Sequence, residues 1–292
     1  MPLLIRFLAV LTLAMGITAC TDSVSAPPLP QVVSSPVQPA VSPLPTDGTT
    51  LVGAVALPAG QRIFARDSVG APTSPPLAWY TEVPTTDVQP LWEALARQFP
   101  NTKLWPVVTN GLDGDLDRPW RTGELDPVED NEPIEPDQWF RDHDITDNPD
   151  SLGPAYRGLA AGSSGPPAWH NTNLTRTAPP PYPTTGLLLV AVDRPADVPA
   201  TLGWTGPMNH ALTAAGLSSI LRSWEDRFGA TLIELDFDTA QLHVPRPPGN
   251  EQQCATVAKE HIITAPDIIG PSTFNAYTSQ LCRKDTWFLW WD

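Results

Sequence analysis

The chain closes on RKDTWFLWWD, residues 283–292, in which four of the last six residues are aromatic. Side chains alternate across a strand. If TWFLWW (286–291) is the last strand of a sheet, Trp287, Leu289 and Trp291 share one face, and Phe288, Trp290 and Asp292 share the other. One set can pack beneath helices. The second lies on the face that a sheet with helices on one side leaves open. Large apolar patches are rarely left bare on soluble domains, so the expectation is that the upstream half of the chain covers that face. If it does not, Phe288 and Trp290, with Trp204 from a preceding loop, are candidate contacts for a partner.

Working back from the tail, the elements are clear. GLLLVAV (186–192) is a continuous apolar run of strand length. Leu217, Ile220, Leu221, Trp224 and Phe228 recur at spacings of three and four, which predicts a helix over about 213–228 with Gly229 as its left-handed cap. ATLIELDF and QLHVP read as a hairpin turning about Asp238-Thr239. A second helix runs from Gln252 to Thr264 with Cys254, Val257, Ala258, His261 and Ile262 inward, and Pro266 stops it. A shorter helix, capped by Ser272, carries Phe274, Tyr277 and Leu281. The order β-α-β-β-α-α-β predicts an α+β antiparallel sheet with helices on one face. Without the extra short helix it is the split βαβ order of ferredoxin-like sandwiches. The first and last strands are doubly apolar, which suits central positions.

Upstream, 51–152 reads as a smaller α+β region. LVGAVAL, QRIFARD and LAWYTEV are short strands. Asp87 caps a helix carrying Leu91, Trp92, Leu95 and Phe99, which Pro100 ends, and KLWPVVT follows as a strand. From Asp113 to Asp150 stand fourteen acidic residues and three arginines, interrupted by prolines. This reads as an acidic loop without regular elements. Residues 153–185, with GSSGPP and APPPYP, read as a linker to a C-terminal domain at 186–292. Prolines make the connections long and irregular throughout.

The N-terminus is an address. MPLLIR, an apolar run too short to span a bilayer and Thr18-Ala19-Cys20 form the layout of a signal peptide over 1–19. Ile17-Thr18-Ala19-Cys20 resembles the lipobox of bacterial lipoproteins. That resemblance implies cleavage before Cys20, acylation of its side chain and anchoring to the cell envelope. It would place the protein on the outer membrane in a Gram-negative host, and on the outer face of the cell membrane in a Gram-positive one. Residues 20–50 are a proline-rich tether, extended by about 3 Å per residue where polyproline-like. With Cys20 assigned to lipid, Cys254 and Cys282 remain as an even pair in an exported chain, where a disulfide is expected. The net charge of −15 makes nucleic acid and anionic lipid surfaces poor partners.

LGWTGPMN (202–209), LRSWEDRFGA (221–230), VPRPP (244–248), AKEH (258–261), Pro266-Asp267 and the terminal WFLWWD together resemble a bacterial family known only as domain of unknown function 4253. The resemblance covers about a third of the chain. It implies a C-terminal α+β unit and brings no activity, substrate or catalytic residue. In the family's pattern a cysteine precedes the Pro-Asp pair. Here Ala265 stands in its place, so no role for that cysteine carries over.

The constellations that could carry chemistry are few. Asp113, Asp115, Asp117 and Glu124 fit positions 1, 3, 5 and 12 of a calcium loop, but Arg118 occupies the place of its turn glycine. Arg222 and Asp226 are spaced as a surface pair, and Glu225 and Asp226 offer a weak pair of carboxylates. Glu260 and His261 are the best catalytic candidates by residue type, although His261 lies on an apolar stripe where a buried structural histidine is the commoner outcome. There is no HExxH, GxSxG, P-loop or GxGxxG, and no cofactor is implied. The leading expectation is a lipid-anchored envelope protein whose exported part binds an envelope protein partner. The alternatives are an envelope hydrolase using His261 and Glu260, and a calcium-stabilised module.

Overall fold

In the computed structural model the apolar runs become strands and the stripes become helices. The order is β1 (Gly48–Val52), β2 (Val55–Ile63), β3 (Ala78–Pro84), α1 (Val88–Thr102), β4 (Leu104–Thr109), α2 (Pro136–Asp142), α3 (Pro149–Leu152) and β5 (Thr184–Ala191). Then come α4 (Val198–Leu202), α5 (Ala214–Phe228), β6 (Thr231–Leu235), β7 (Thr239–His243), α6 (Glu251–Thr264), α7 (Phe274–Leu281) and β8 (Thr286–Trp290). Residues 44–73, 75–127, 132–146, 148–163, 165, 169 and 182–292 are described. The expected signal peptide, Cys20 and most of the tether lie outside them. The tether's last residues, from Gly48, already belong to β1.

The strands form one mixed sheet in the order β1-β2-β3-β5-β4-β6-β7-β8. Every pairing is antiparallel except β4 with β6, which meet in parallel at Val108 and Glu234. The C-terminal region has the expected run of elements, with the one-turn α4 added. Its four strands do not make a ferredoxin-like sheet by themselves, because β4 of the upstream region stands between β5 and β6. The reason lies in β5. A doubly apolar strand needs a neighbour along each edge as well as cover on both faces, and β3 and β4 supply those edges. The described residues therefore belong to one compact unit.

The last strand is on the sheet's edge, not at its centre. Its alternation is nevertheless the expected one. Trp287, Leu289 and the following Trp291 are buried, and Phe288 is 41% exposed. The upstream half does not cover Phe288, contrary to expectation. On the inner side Trp287 meets Trp224 and Phe228 of α5 edge-on, with ring centroids 5.7 and 5.4 Å apart.

The helices follow their local signals. Thr213 caps α5 by accepting the Gly216 amide, and Gly229, at φ 70°, closes it. Asn250 caps α6, and Thr273, one residue beyond the expected Ser272, caps α7. Helix α1 lays Trp92 and Phe99 against Trp105 of β4 at 5.4 and 5.1 Å. Pro100 does not end it. The helix runs one more half-turn to Lys103, whose left-handed backbone returns an N–H to Phe99 O. The acidic region holds two short helices that its charge concealed. Pro136 opens α2 where a missing N–H costs nothing, and Trp139 and Phe140 bury its inner side.

Cys254 and Cys282 are bonded, with Cα atoms 5.2 Å apart, tying α6 to the residue after α7. The described part of the expected linker is strapped down. Arg227 donates to Ala160 O, Gln253 to Ala161 O and Arg246 to Ser163 O. Among the described residues no helix is long and apolar enough to cross a membrane.

Candidate functional site

The candidate catalytic residues on α6 lie in the core. His261 has no exposed surface. Its ring lies 4.8 Å from Trp224 and 4.6 Å from Trp287, and its Nδ1 is 2.9 Å from the Tyr277 hydroxyl. Burial, with the Arg227 charge adding, pushes the imidazole down to about 3. It is therefore neutral near pH 7. The Glu260 carboxylate is also fully buried. Oε1 accepts from the Ala160 amide (2.7 Å) and Arg227 Nη1 (3.0 Å). Oε2 accepts from the Trp224 indole (2.7 Å) and Arg227 Nη2 (2.7 Å). Such a carboxylate is satisfied on both oxygens. Neither group meets solvent, so neither can serve as the surface acid or base that their types suggest. The apolar stripe of α6 decided their place.

The neighbouring carboxylates also differ from expectation. Arg222 pairs with Asp197 rather than with Asp226. Arg194 lies between Glu225 (2.9 Å) and Asp226 (2.6 Å). Glu225 is buried, and burial raises its carboxyl to about 7 against the pull of Arg194. Asp226 points to solvent, so the two do not form an acid/base pair.

The calcium spacing is not realised either. Arg118, the residue in the glycine's place, forks onto both oxygens of Glu124 at 2.7 and 2.5 Å, holding that carboxyl below its usual range. Asp117 pairs with Arg121, and Asp115 accepts the Asp117 amide. Asp115, Asp117 and Glu124 are thus spent on the loop itself. Among the described residues no group of three or more His, Cys, Asp or Glu side chains converges as a metal site.

The accessible site is a cleft where the acidic segment meets the LGWTGPMN loop and the chain end. A cavity of about 620 Å³ is lined by Gly123–Asp126, Thr205, Gly206, Met208, Asn209, Phe237, Asp238, Trp291 and Asp292. It continues past Asp126 and Met208 into a smaller hollow of about 220 Å³ lined by Trp204, Ala211, Leu212 and Ala214. Two backbone contacts and one side-chain hydroxyl stitch the walls together. Leu125 bridges Trp204, the Asp126 amide donates to Gly203 O at 2.7 Å, and Thr205 Oγ1 donates to Glu124 O. Gly203 permits this approach. Its φ is 62°, and a Cβ there would stand 2.1 Å from the Asp126 carbonyl carbon.

Trp204 is a wall of this cleft, not an exposed contact. It is 1% exposed, donates its indole N–H to Asp236 O and meets Trp291 edge-on at 5.4 Å. Met208 stands at the rim, 55% exposed. The chain end is pinned from two sides. Asn209 donates to Asp292 O, and the Asp292 amide donates to Asp267, which also pairs with His210 at 2.8 Å. Asp238 lines the same cavity. Its partial burial raises its carboxyl, the like charges of Asp113 and Asp292 add to the rise, and a hydrogen bond from Trp290 opposes it. Beside it the Arg118 guanidinium lies 4.7 Å over the Phe237 ring.

The expected site residues thus divide. Phe288 and Trp290 lie on the terminal strand near the cleft, and Trp204 lies inside its wall. Met208, Asn209, Asp238 and Asp292 were not singled out as a site. The one signal for Met208, Asn209 and Asp292 was that LGWTGPMN and the final Trp-Trp-Asp stand among the same motifs, whereas Asp238 was read only as part of a hairpin turn.

Residues 186–292 match the model of the family described as Domain of unknown function (DUF4253). No curated protein and no solved structure matches the chain. The motifs LRSWEDRFGA and AKEH supply Trp224, Arg227, Glu260 and His261 to the buried network. LGWTGPMN and the chain end supply the cleft.

Proposed function

We propose that this chain is an exported, lipid-anchored envelope protein whose folded part is a protein-binding module. The reading rests on the outer face of β8. A terminal edge strand presents Phe288 to solvent beside the partly exposed Trp290, while every aromatic residue on its inner face is sealed. Exposed aromatic side chains at an ordered surface are the residue type that anchors interfaces. The lipobox and tether support placement at the envelope, with Cys20 as the acylated residue. No observation favours the hydrolase or calcium readings: Glu260 and His261 are enclosed, and Asp115, Asp117 and Glu124 are paired within their loop.

The test is crosslinking and co-purification from native membranes, with Cys20→Ser as the unanchored control. One reproducible protein, weakened by Phe288→Ala or Trp290→Ala in a chain that still folds, is the expected result. No protein above the control would leave Phe288 a chance exposure and remove the reading.

A further inference from the structure

We infer that the open edge of β8 pairs with β8 of a second copy of this chain, the two strands running antiparallel about a two-fold axis at Phe288. The inference rests on the binding-module reading and names the partner that its strand takes. Three features carry it.

The first is how the sheet's two edges differ. At one edge, β1 breaks register with β2 between Gly48 and Thr50. Such irregularities keep an edge from pairing further. At the other, β8 matches β7 over its five residues without a shift, and among the described residues no strand lies beyond it. Its TWFLW carries none of the charge, proline or bulge that guards natural edges, and a regular apolar edge is a template for another strand. The second feature is the direction of the backbone. Val244 N donates to Asp285 O and Trp291 N to Asp238 O, so the odd-numbered residues turn their N–H and C=O groups to β7. Phe288 and Trp290, at the alternate positions, turn theirs to the open edge. The third feature selects a second copy. A two-fold contact must be self-complementary. With Phe288 opposite itself, at the middle of β8, Trp290 faces Thr286 and the exposed Lys284 falls opposite the exposed Asp292. The two Phe288 rings make a cross-strand aromatic pair, and each end of the contact brings a lysine to a carboxylate. Asp267, which accepts the Asp292 amide, ends the ladder there and offers that lysine a second carboxylate. These local pairs work against the long-range repulsion of two chains of charge −15. The contact is small, and anchoring in one membrane raises the local concentration at which copies meet.

The test uses the full acylated chain in its own membranes. Under mild oxidation Phe288→Cys should form a covalent dimer, because facing residues of a hydrogen-bonded antiparallel pair hold their Cα atoms about 5.5 Å apart, within disulfide reach. Val69→Cys, 85% exposed on the loop after β2, is the collision control and should stay monomeric. Between two differently tagged copies, Lys284→Asp should weaken association about tenfold, since a two-fold contact loses both of its end pairs and gains repulsion at each. Lys284→Asp with Asp292→Lys in the same chain should restore it. Phe288→Cys that folds and stays monomeric, or that crosslinks no more than Val69→Cys, would overturn the inference. So would a charge-swapped chain that associates as weakly as Lys284→Asp alone. Co-purification separates the two readings. Tagged copies that do not capture each other, beside a different protein that is captured and lost with Phe288→Ala, leave the binding module standing and refute self-pairing. No capture of either kind removes both.

Discussion

Two polar clusters in this protein, one around Glu260 and one around Asp238, differ in their exposure. Around Glu260 every carboxylate oxygen has donors at 2.7–3.0 Å and no water can reach it. Around Asp238 the carboxylates crowd one another at an open cavity. The first arrangement is costly to disturb and has nothing left to offer a ligand. The second is open to solvent, and there Asp238 takes a hydrogen bond from Trp290. A motif rich in Trp, Glu, Arg and His therefore does not by itself mark chemistry. What distinguishes the clusters is whether the polar groups are sealed in the core or stand at an open cavity.

The comparison breaks most sharply at Arg227. Replacing it with Ala leaves the Glu260 charge buried without its partner, and should cost about 3–5 kcal/mol. Arg227→Met with Glu260→Leu should recover much of that loss. Urea denaturation measures both, and a single-variant cost below about 1 kcal/mol would mean the network holds little. Next in size is the disulfide. Cys254→Ala with Cys282→Ala releases a loop spanning 28 residues and should cost about 3–4 kcal/mol on the chain-entropy estimate.

The pH dependence sharpens the sealed side. Folded His261 titrates near 3 against an ordinary 6.5, so between those values the unfolded chain binds more protons, and stability is lost as pH falls. Glu225, near 7 against 4.5, works the other way, since the folded chain keeps its proton longer and stability falls as pH rises through that window. The two offset each other between 4.5 and 6.5. Denaturation midpoints should therefore climb from about pH 3 to 4.5 and decline from about 6.5 to 7. Glu225→Gln should remove the Glu225 contribution to the decline while leaving the acid-side climb. An acid limb without slope would put His261 in contact with water. The smallest effects belong to the open side. Asp238→Asn and Phe288→Ala should each change stability by less than about 1 kcal/mol, and a larger fall in either melting temperature would move that residue into the core.

Much of this was legible from periodicity. The stripe of α5, its glycine cap and the alternation of β8 are local patterns, and local geometry obeyed them. The cysteine pair was legible because Cys254 and Cys282 are the even pair left once Cys20 is set aside, and they fall on consecutive helices. Strand neighbours were not. Leu104–Thr109 reads as a strand in any context, but nothing in its own six residues says that it pairs with both β5 and β6, since pairing is decided by non-local register. All six of its residues are buried, the mark of a central strand. The buried pair Glu260 and His261 was ambiguous because residue type suggests chemistry while helical phase suggests core, and phase won. The cleft was invisible because its walls come from four distant segments.

The interleaving of β4 and β5 also has a consequence for how the chain comes into being. During synthesis β3 and β4 emerge long before residue 184, yet in the finished sheet β5 lies between them. Until that strand is made, each of the two carries an unpaired inner edge, and pairing them directly would trap the wrong register. Some seventy-five residues separate Thr109 from Thr184, and over that stretch of synthesis the partner strand of both edges is still missing. The sequence motifs of the C-terminal region begin only after that interval, so the stretch that the family model matches leaves out β4, a strand that stands inside its sheet.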